Sequence, residues 1–492
     1  MTAIAQFSPS AFDSAYKTLR NTFADGRTKN LAWRKWQLKQ MYWLLDENEA
    51  EFQEAMYKDL HRHPFESLAY DLAETKGSIL EALDNLEKWA KGEAPPHGGI
   101  LWNWIGRAWI RKEPFGVALI IGAWNYPVGT LLTVAVSAIA AGNAVFLKPS
   151  EVASNTEALL IKLAAQYMDP AAIAIISAGP TEMGIILQNR FDFIFYTGSS
   201  RVGRIIAAAA AVHVTPTALE LGGQAPAVVT RNADIDLAAK RIANAKLINL
   251  GQLCVDVNHV FAEPEIYDEL NDRLQFWMAK LVDEGRETLT HMVNHHHFDR
   301  LRSLLAKSNG TVVYTGKHDC ESKFLHPTVV KDVTMADSLL SEELFGPILP
   351  VIKSDLDTAL QTINSMPHPL ALYVFSHQQS EIDRILNSTN SGGVTVNDIA
   401  VHNDVVSAPF GGVGESGYGA YHGKWGFDTF SHNRTVVYIP GFLERFIGWR
   451  YPPFDLKNRG EVDSHRPKFK KGETLEDQRV ANRGRFGLFS WW

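Results

Sequence analysis

The stretch from Val117 to Leu147 carries no charged residue. A run that long is enough to span a bilayer. It is broken internally by Asn125, Tyr126, Pro127, Asn143 and three glycines. Residues 117–122 form a β-type run, residues 128–142 have helical length, and residues 144–147 are β-type again. A strand, helix and strand of a parallel sheet covered on both faces read this way. The expectation is a buried βαβ unit and not a membrane span.

Strand and helix go on alternating downstream. Residues 117–122, 144–148, 172–177 and 191–196 are strand candidates. A second round from about residue 225 to about 397 passes through 225–230, 257–262 and 371–375. This predicts an α/β chain with two doubly wound parallel sheets. Upstream, residues 31–60 and 66–91 read as amphipathic helices. In the first of them Leu31, Trp36, Met41, Leu44, Leu45, Phe52 and Met56 recur at helical spacing. Residues 91–99 are a Pro/Gly-rich break. Residues 101–111, with Trp102, Trp104 and Trp109, suit an extended arm. From Arg450 the chain turns Pro-rich, polar and basic and reads as a tail.

The 492 residues suit about three structural units. A net charge of −7 makes general nucleic-acid binding a poor fit. Two cysteines, Cys254 and Cys320, cannot build a disulfide framework or a Cys-rich zinc site. Met1 to Asp13 shows neither a basic nor an apolar signal region, so a reducing, cytoplasmic setting is expected. The Asn-x-Ser/Thr triplets at Asn309, Asn387 and Asn433 then carry little meaning.

Three residues stand out for chemistry. Cys254, in NLGQLC, has small and polar neighbours that leave room for a substrate, although a lone cysteine is usually inert packing. Cys320 sits in a polar stretch and reads as surface. Glu220 lies between two leucines and before Gly222 and Gly223. It is either a buried acid with the raised pKa of a general base or a turn residue facing water. Asn125 follows a strand at the edge where open α/β sheets place ligands, and its amide could donate to an oxyanion. It could equally be a turn residue before Pro127.

Thr197–Gly203 follows a strand and opens an Ala-rich helix, which suits a phosphate; the lysine of a P-loop is missing. Lys148 and Glu151 follow another strand and could hold ribose hydroxyls. Gly412–Gly417 formally matches G-x-G-x-x-G but lacks the strand and βαβ context that the fingerprint needs. His295–His297 reads as a solvated helix or loop face, since no other ligand pattern accompanies it.

Together these segments resemble the aldehyde dehydrogenase superfamily, in order, from about residue 10 to about 452. The landmarks are GAWNYP (122–127), LKPSE (147–151), YTGSSRVG (196–203), ELGG (220–223), GQLC (251–254), EELFGP (342–347) and PFGGVG (409–414). The segments around Tyr421–Lys424, Phe427–His432 and Arg450–Pro453 resemble the class 3, fatty-aldehyde branch, including fungal members acting on fatty aldehydes or apocarotenals.

The resemblance implies a Cys254 nucleophile, a Glu220 base, and an oxyanion hole from Asn125 and the Cys254 N–H. It implies NAD, with NADP also accepted, held by Trp124, Lys148, Glu151, Gly198, Ser199, Ser200, Gly203, Glu343 and Phe345. No metal is implied. The substrate would be an apolar aldehyde. The implied layout is an NAD(P)-binding domain (1–97 and 117–220), a catalytic domain (221–405), a bridging arm (98–116 and 406–445) and a tail (446–492). Leu101–Arg111 and Thr435–Ile439 would bridge the subunits of a homodimer. The tail, ending in Trp491 and Trp492, could touch an anionic membrane.

Gln224 and Ser200 depart from the commoner Lys and Thr. Three rivals are a thiol hydrolase pairing Cys254 with His259, a CoA-acylating relative, and a catalytically silent one.

Overall fold

In the computed structural model residues 3–4, 6–96, 100–462 and 471–478 are described. One compact unit comprises residues 1–93 and 110–435; a smaller one comprises residues 94–109 and 436–492.

The larger unit holds two seven-stranded sheets. The first contains β1 (Ala3–Ile4), β2 (Val117–Ile121), β3 (Ala144–Lys148), β4 (Ile173–Ile176), β5 (Phe193–Gly198) and β6 (Thr217–Leu221). Its spatial order is β1-β4-β3-β2-β5-β6, all parallel, and the antiparallel pair Gly417–Tyr418 closes the β6 edge. The second sheet is parallel except for its edge strand Thr311–Tyr314. At its centre lie β7 (Pro226–Val229) and β8 (His259–Ala262). Both sheets are doubly wound α/β, as expected.

The charge-free run is explained by β2, which alternates between two cores. Ala118 and Ile120 face one apolar cluster, while Val117, Leu119 and Ile121 face another. A strand buried on both faces has no place for a charge. The helix that follows, α1 (Gly129–Ala141), has 13 residues, about 20 Å at 1.5 Å per residue. That is short of a bilayer core of about 30 Å. It ends at Gly142, which is left-handed (φ 98°) and lies against the Arg34 guanidinium, so a side chain there would collide. Among the described residues no helix is long and apolar enough to cross a membrane.

Several boundaries differ from expectation. The expected helix over 31–60 is two helices, Leu31–Asp46 and Glu49–Leu60. Asn48 separates them, its amide donating to Leu44 O at 2.9 Å and so competing with the helical ladder. The expected arm is only partly extended. Ile100–Ile105 is a wide helical turn, and the strands are Trp109–Pro114 and Ser431–Val436, paired as a ribbon. The bridging strand expected at 435–439 therefore begins four residues earlier. The segment after Arg450 contains short helical turns at Leu456–Asn458 and Arg459–Val462. Trp491, Trp492 and the Trp102 side chain lie outside the described residues.

Candidate active site

The carboxyl edge of the first sheet collects the residues singled out above. Lys148 ends β3 beside Ile121, Ile121 pairs with Tyr196 on β5, and Thr197 pairs with Glu220 on β6. Beyond β2 the chain turns sharply, with the Gly122 N–H donating to Lys148 O at 3.0 Å. This turn carries Asn125 inward, where it is buried and donates from Nδ2 to Gln252 O at 3.2 Å. Asn125 thus meets the loop that leads into Cys254.

That loop has an unusual backbone. Asn249, Leu250 and Gly251 are all left-handed, with φ of 49°, 52° and 71°. For a non-glycine residue this costs about 1–2 kcal/mol, so it must be held by its surroundings. Asn249 Nδ2 donates to Asn125 O at 3.1 Å and to Gln252 O at 3.0 Å. The Asn249 N–H donates to the Glu66 carboxylate, which also accepts from the Thr290 hydroxyl at 2.8 Å. At Gly251 only glycine fits, because a Cβ there would lie 2.5 Å from Gly346 O.

Cys254 is half-buried, and Glu220 is 3 % exposed with its Oε1 lacking any hydrogen-bond partner. Burial pushes the Glu220 carboxyl up to about 8; the Cys254 thiol pulls it back and Glu343 adds to the rise. Burial also pushes the Cys254 thiol well above its ordinary value, with Glu220 and Glu343 reinforcing the shift. Glu343 itself is pushed up to about 7, chiefly by burial. Its carboxylate reaches Gly222, where a Cβ would lie 2.3 Å from it. One thiol and two carboxyls therefore share a pocket that resists a second negative charge. A thiol beside a carboxyl is a pairing that nucleophilic catalysis with a general base can use. Two buried tyrosines lie near it. Tyr421 feels the charges of Glu220 and Cys254, and the Tyr373 hydroxyl donates to Val255 O.

Of the residues expected to hold a dinucleotide, Lys148, Glu151 and the Gly198–Gly203 segment follow strands of the same edge, whereas Glu343 and Phe345 come from the loop before the second-sheet strand Ile348–Lys353. Lys148 is buried and ion-paired with Glu151. The helix Ser200–Val212 opens directly after Gly198, with the Ser199 hydroxyl accepting from the Val202 N–H at 3.4 Å. At Gly203 a Cβ would come within 2.8 Å of Leu221, so glycine keeps this helix close to the sheet. Trp124 packs at 5.3 Å against both Phe345 and His297. The Glu343 Oε1 is buried without a partner and free to accept from a hydroxyl. A helix N-terminus for phosphate, acceptors for ribose and aromatic rings for a flat base together fit a dinucleotide.

Other residues read differently in place. His259 is fully buried on β8, edge-on to Phe261, and burial pushes it down to about 3, so it packs the core and is no base for Cys254. Gly412–Gly417 opens no βαβ unit: Gly414–Ser416 is one turn, and Gly417 lies opposite Glu220. His295 and His296 are exposed, whereas His297 is half-buried against Trp124. Cys320 is exposed, as read. Trp104 is exposed in the smaller unit. Gln224 accepts from Asn258 at 3.3 Å and donates to Leu340 O at 3.2 Å, a structural role.

Fold and site define a two-sheet α/β protein with a buried thiol–carboxyl pocket at a sheet's carboxyl edge. The profile of the Aldehyde dehydrogenase family matches residues 1–436. Human aldehyde dehydrogenase family 3 member B1 is 42% identical over 441 residues, 89% of this chain and 93% of the relative. Aldehyde dehydrogenase family 3 member H1 of Arabidopsis thaliana is 40% identical, covering 90% and 92%. The substrate-bound structure of Staphylococcus aureus AldH superposes with a TM-score of 0.88 at 32% identity, covering 92% of this chain and 98% of the other. The chain belongs to the aldehyde dehydrogenase family, enzymes that oxidise aldehydes.

Gly251→Ala tests the loop geometry. The added Cβ would press on Gly346 O, and a displacement of about 1 Å at a reacting group can cost about 100-fold in rate. Aldehyde-dependent turnover is expected to fall by about that factor, while the far-ultraviolet circular dichroism stays native.

Proposed function

We propose that the chain oxidises an apolar aldehyde, fatty, aromatic or apocarotenoid, to its carboxylic acid with NAD, accepting NADP as well. The observation that carries this reading is the pocket shared by Cys254 and Glu220, with Asn125 held against the loop before Cys254. The Cys254 thiol loses its proton to solvent, and the thiolate adds to the aldehyde carbonyl carbon. The new oxyanion is held by the Asn125 amide and the Cys254 N–H, each donor worth roughly 3 kcal/mol in comparable sites. The nicotinamide, when bound, supplies the hydride acceptor. The thioester left on Cys254 is hydrolysed by a water that Glu220 deprotonates, which frees the acid and the thiol.

Gly198, Ser199, Ser200 and Gly203 would lie against the pyrophosphate. Lys148 and Glu151 would take the adenosine ribose, and Glu343 the nicotinamide ribose beside Trp124 and Phe345. A carboxylate at Glu151 favours NAD over a 2′-phosphate. Acceptance of NADP as well agrees with the rat relative called "dimeric NADP-preferring", 38% identical to this chain. The first sheet would then serve as the cofactor domain and the second as the catalytic domain. The apolar substrate rests on the resemblance of the Tyr421–Lys424 and Phe427–His432 segments to the fatty-aldehyde branch.

The smaller unit exposes Tyr438, Phe442, Phe446 and Phe454. A second copy of the chain covering this surface, giving a homodimer, is the reading we favour. Peripheral membrane contact through the tail is a further part of it, tested by vesicle co-sedimentation of the full chain against a chain lacking residues 454–492.

NADH formation across acetaldehyde, hexanal, benzaldehyde, hexadecanal and a long apocarotenal tests the substrate class. The expected result is a kcat/KM that climbs with chain length. In the same assay Cys254→Ala is expected to lose about 10⁴-fold or more in kcat. A flat profile would remove the apolar preference, and turnover by Cys254→Ala would remove the mechanism.

The pH dependence follows from Glu220. Its base form accumulates as pH rises through about 8, so kcat should rise with pH and level off above that value. Glu220→Gln should lose this rising limb. A wild-type kcat that is flat from pH 6 to 9 would contradict the role.

A further inference from the structure

Among the described residues Arg62 is the bulkiest fully buried side chain, and the reaction scheme above makes no use of it. We propose that Arg62 is a positioning residue whose guanidinium locks the Asn125 turn onto the loop that carries Cys254. The proposal rests on the reading of Asn125 and Cys254 given above.

The geometry is specific. Nε and one terminal nitrogen of Arg62 both donate to Asn249 Oδ1, at 3.2 and 2.7 Å. The same terminal nitrogen donates to the backbone carbonyl of Asn125. Asn249 completes the clamp from its other end, donating to Asn125 O and Gln252 O. The Asn125 carbonyl therefore receives donors from Arg62 and Asn249, and the Asn125 amide shares Gln252 O with Asn249. Three segments distant in sequence meet at one planar cation: residues 59–63, 122–127 and 249–252.

Charge and shape both match this role. Asp71 Oδ2 lies 3.4 Å from the other terminal nitrogen, and the Tyr126 ring centre lies 4.6 Å from the guanidinium carbon. Asp71 also accepts from the Gly129 N–H, the first residue of α1, so the counter-ion itself fixes the far end of the Asn125 turn. A buried ion pair is weak evidence of stability, because an apolar side chain of similar size fills the same space without the desolvation cost. What an apolar side chain cannot do is hold two acceptors on two loops at once. Lysine, a point charge on a flexible stem, lacks the rigid planar fork that fixes the angle between the two loops.

Arg62→Lys separates positioning from bulk folding. Its kcat is expected to fall about 30- to 100-fold, the scale of a roughly 1 Å misplacement. KM for NAD and NADH binding, read by fluorescence, should stay within about twofold of wild type. In Arg62→Ala, added methylguanidinium should restore part of the lost kcat. A kcat for Arg62→Lys within threefold of wild type overturns the proposal. So does loss of NADH binding in step with kcat, which would mean that Arg62 serves the fold as a whole. Cys254→Ala run in parallel keeps the two failures apart: its turnover refutes the site reading, whereas an inactive Cys254→Ala beside a wild-type-like Arg62→Lys refutes Arg62 alone.

Discussion

A carboxyl buried at the carboxyl edge of a parallel sheet, with one oxygen lacking any partner, is the constraint on which the rest of this structure depends. Burial and the neighbouring Glu343 disfavour the ionised form of Glu220 there, while the Cys254 thiol favours it. Burial thus holds both Glu220 and Cys254 toward their neutral forms. Stability alone would favour an apolar residue on β6. The glycines around it serve the same end: Gly222 leaves room for the Glu343 carboxylate, and Gly417 admits the closing strand opposite Glu220.

A second level of organisation keeps the reacting groups in register. The Cys254 loop adopts three consecutive left-handed residues, which a free chain would not hold. It is kept by side chains from elsewhere, namely Glu66, Arg62 and the Asn125 turn. On the other side, Arg300 donates to Glu343 O at 3.3 Å and Leu344 O at 2.6 Å, fixing the segment that carries Glu343 and Phe345. The helix bearing Arg300 also presents His297 to Trp124. The His295–His297 run is thus the start of a helix whose third histidine packs on Trp124.

Much of this was legible in the sequence, for a physical reason. Central parallel strands are short apolar runs, so 144–148 and 371–375 are legible with their true bounds and 117–122, 172–177, 191–196, 225–230 and 257–262 within a few residues, whereas 328–331, 348–353 and 393–396 went unread. The strand at 217–221 escaped notice because Glu220 interrupts its apolar run, and that interruption is the site itself. The break at Asn48 and the wide turn at Ile100–Ile105 were also missed, since each depends on one side chain or on packing that periodicity does not encode. Cys254, Glu220 and Asn125 could be singled out because small, polar or glycine neighbours marked them. Arg62, Asp71 and Asn249 could not. Their meaning lies in contacts across up to 187 positions of chain, and an arginine in DLHRHP reads as surface.

The most direct test of the central claim is to trap the thioester. Glu220→Gln, mixed with NAD and hexanal and quenched within seconds, should show by intact mass spectrometry a protein heavier by one acyl group, carried on the peptide that contains Cys254. Wild type under the same conditions should show little of it at steady state. An acyl group on another residue, or a Glu220→Gln enzyme that turns over at the wild-type rate with no adduct, would contradict the account.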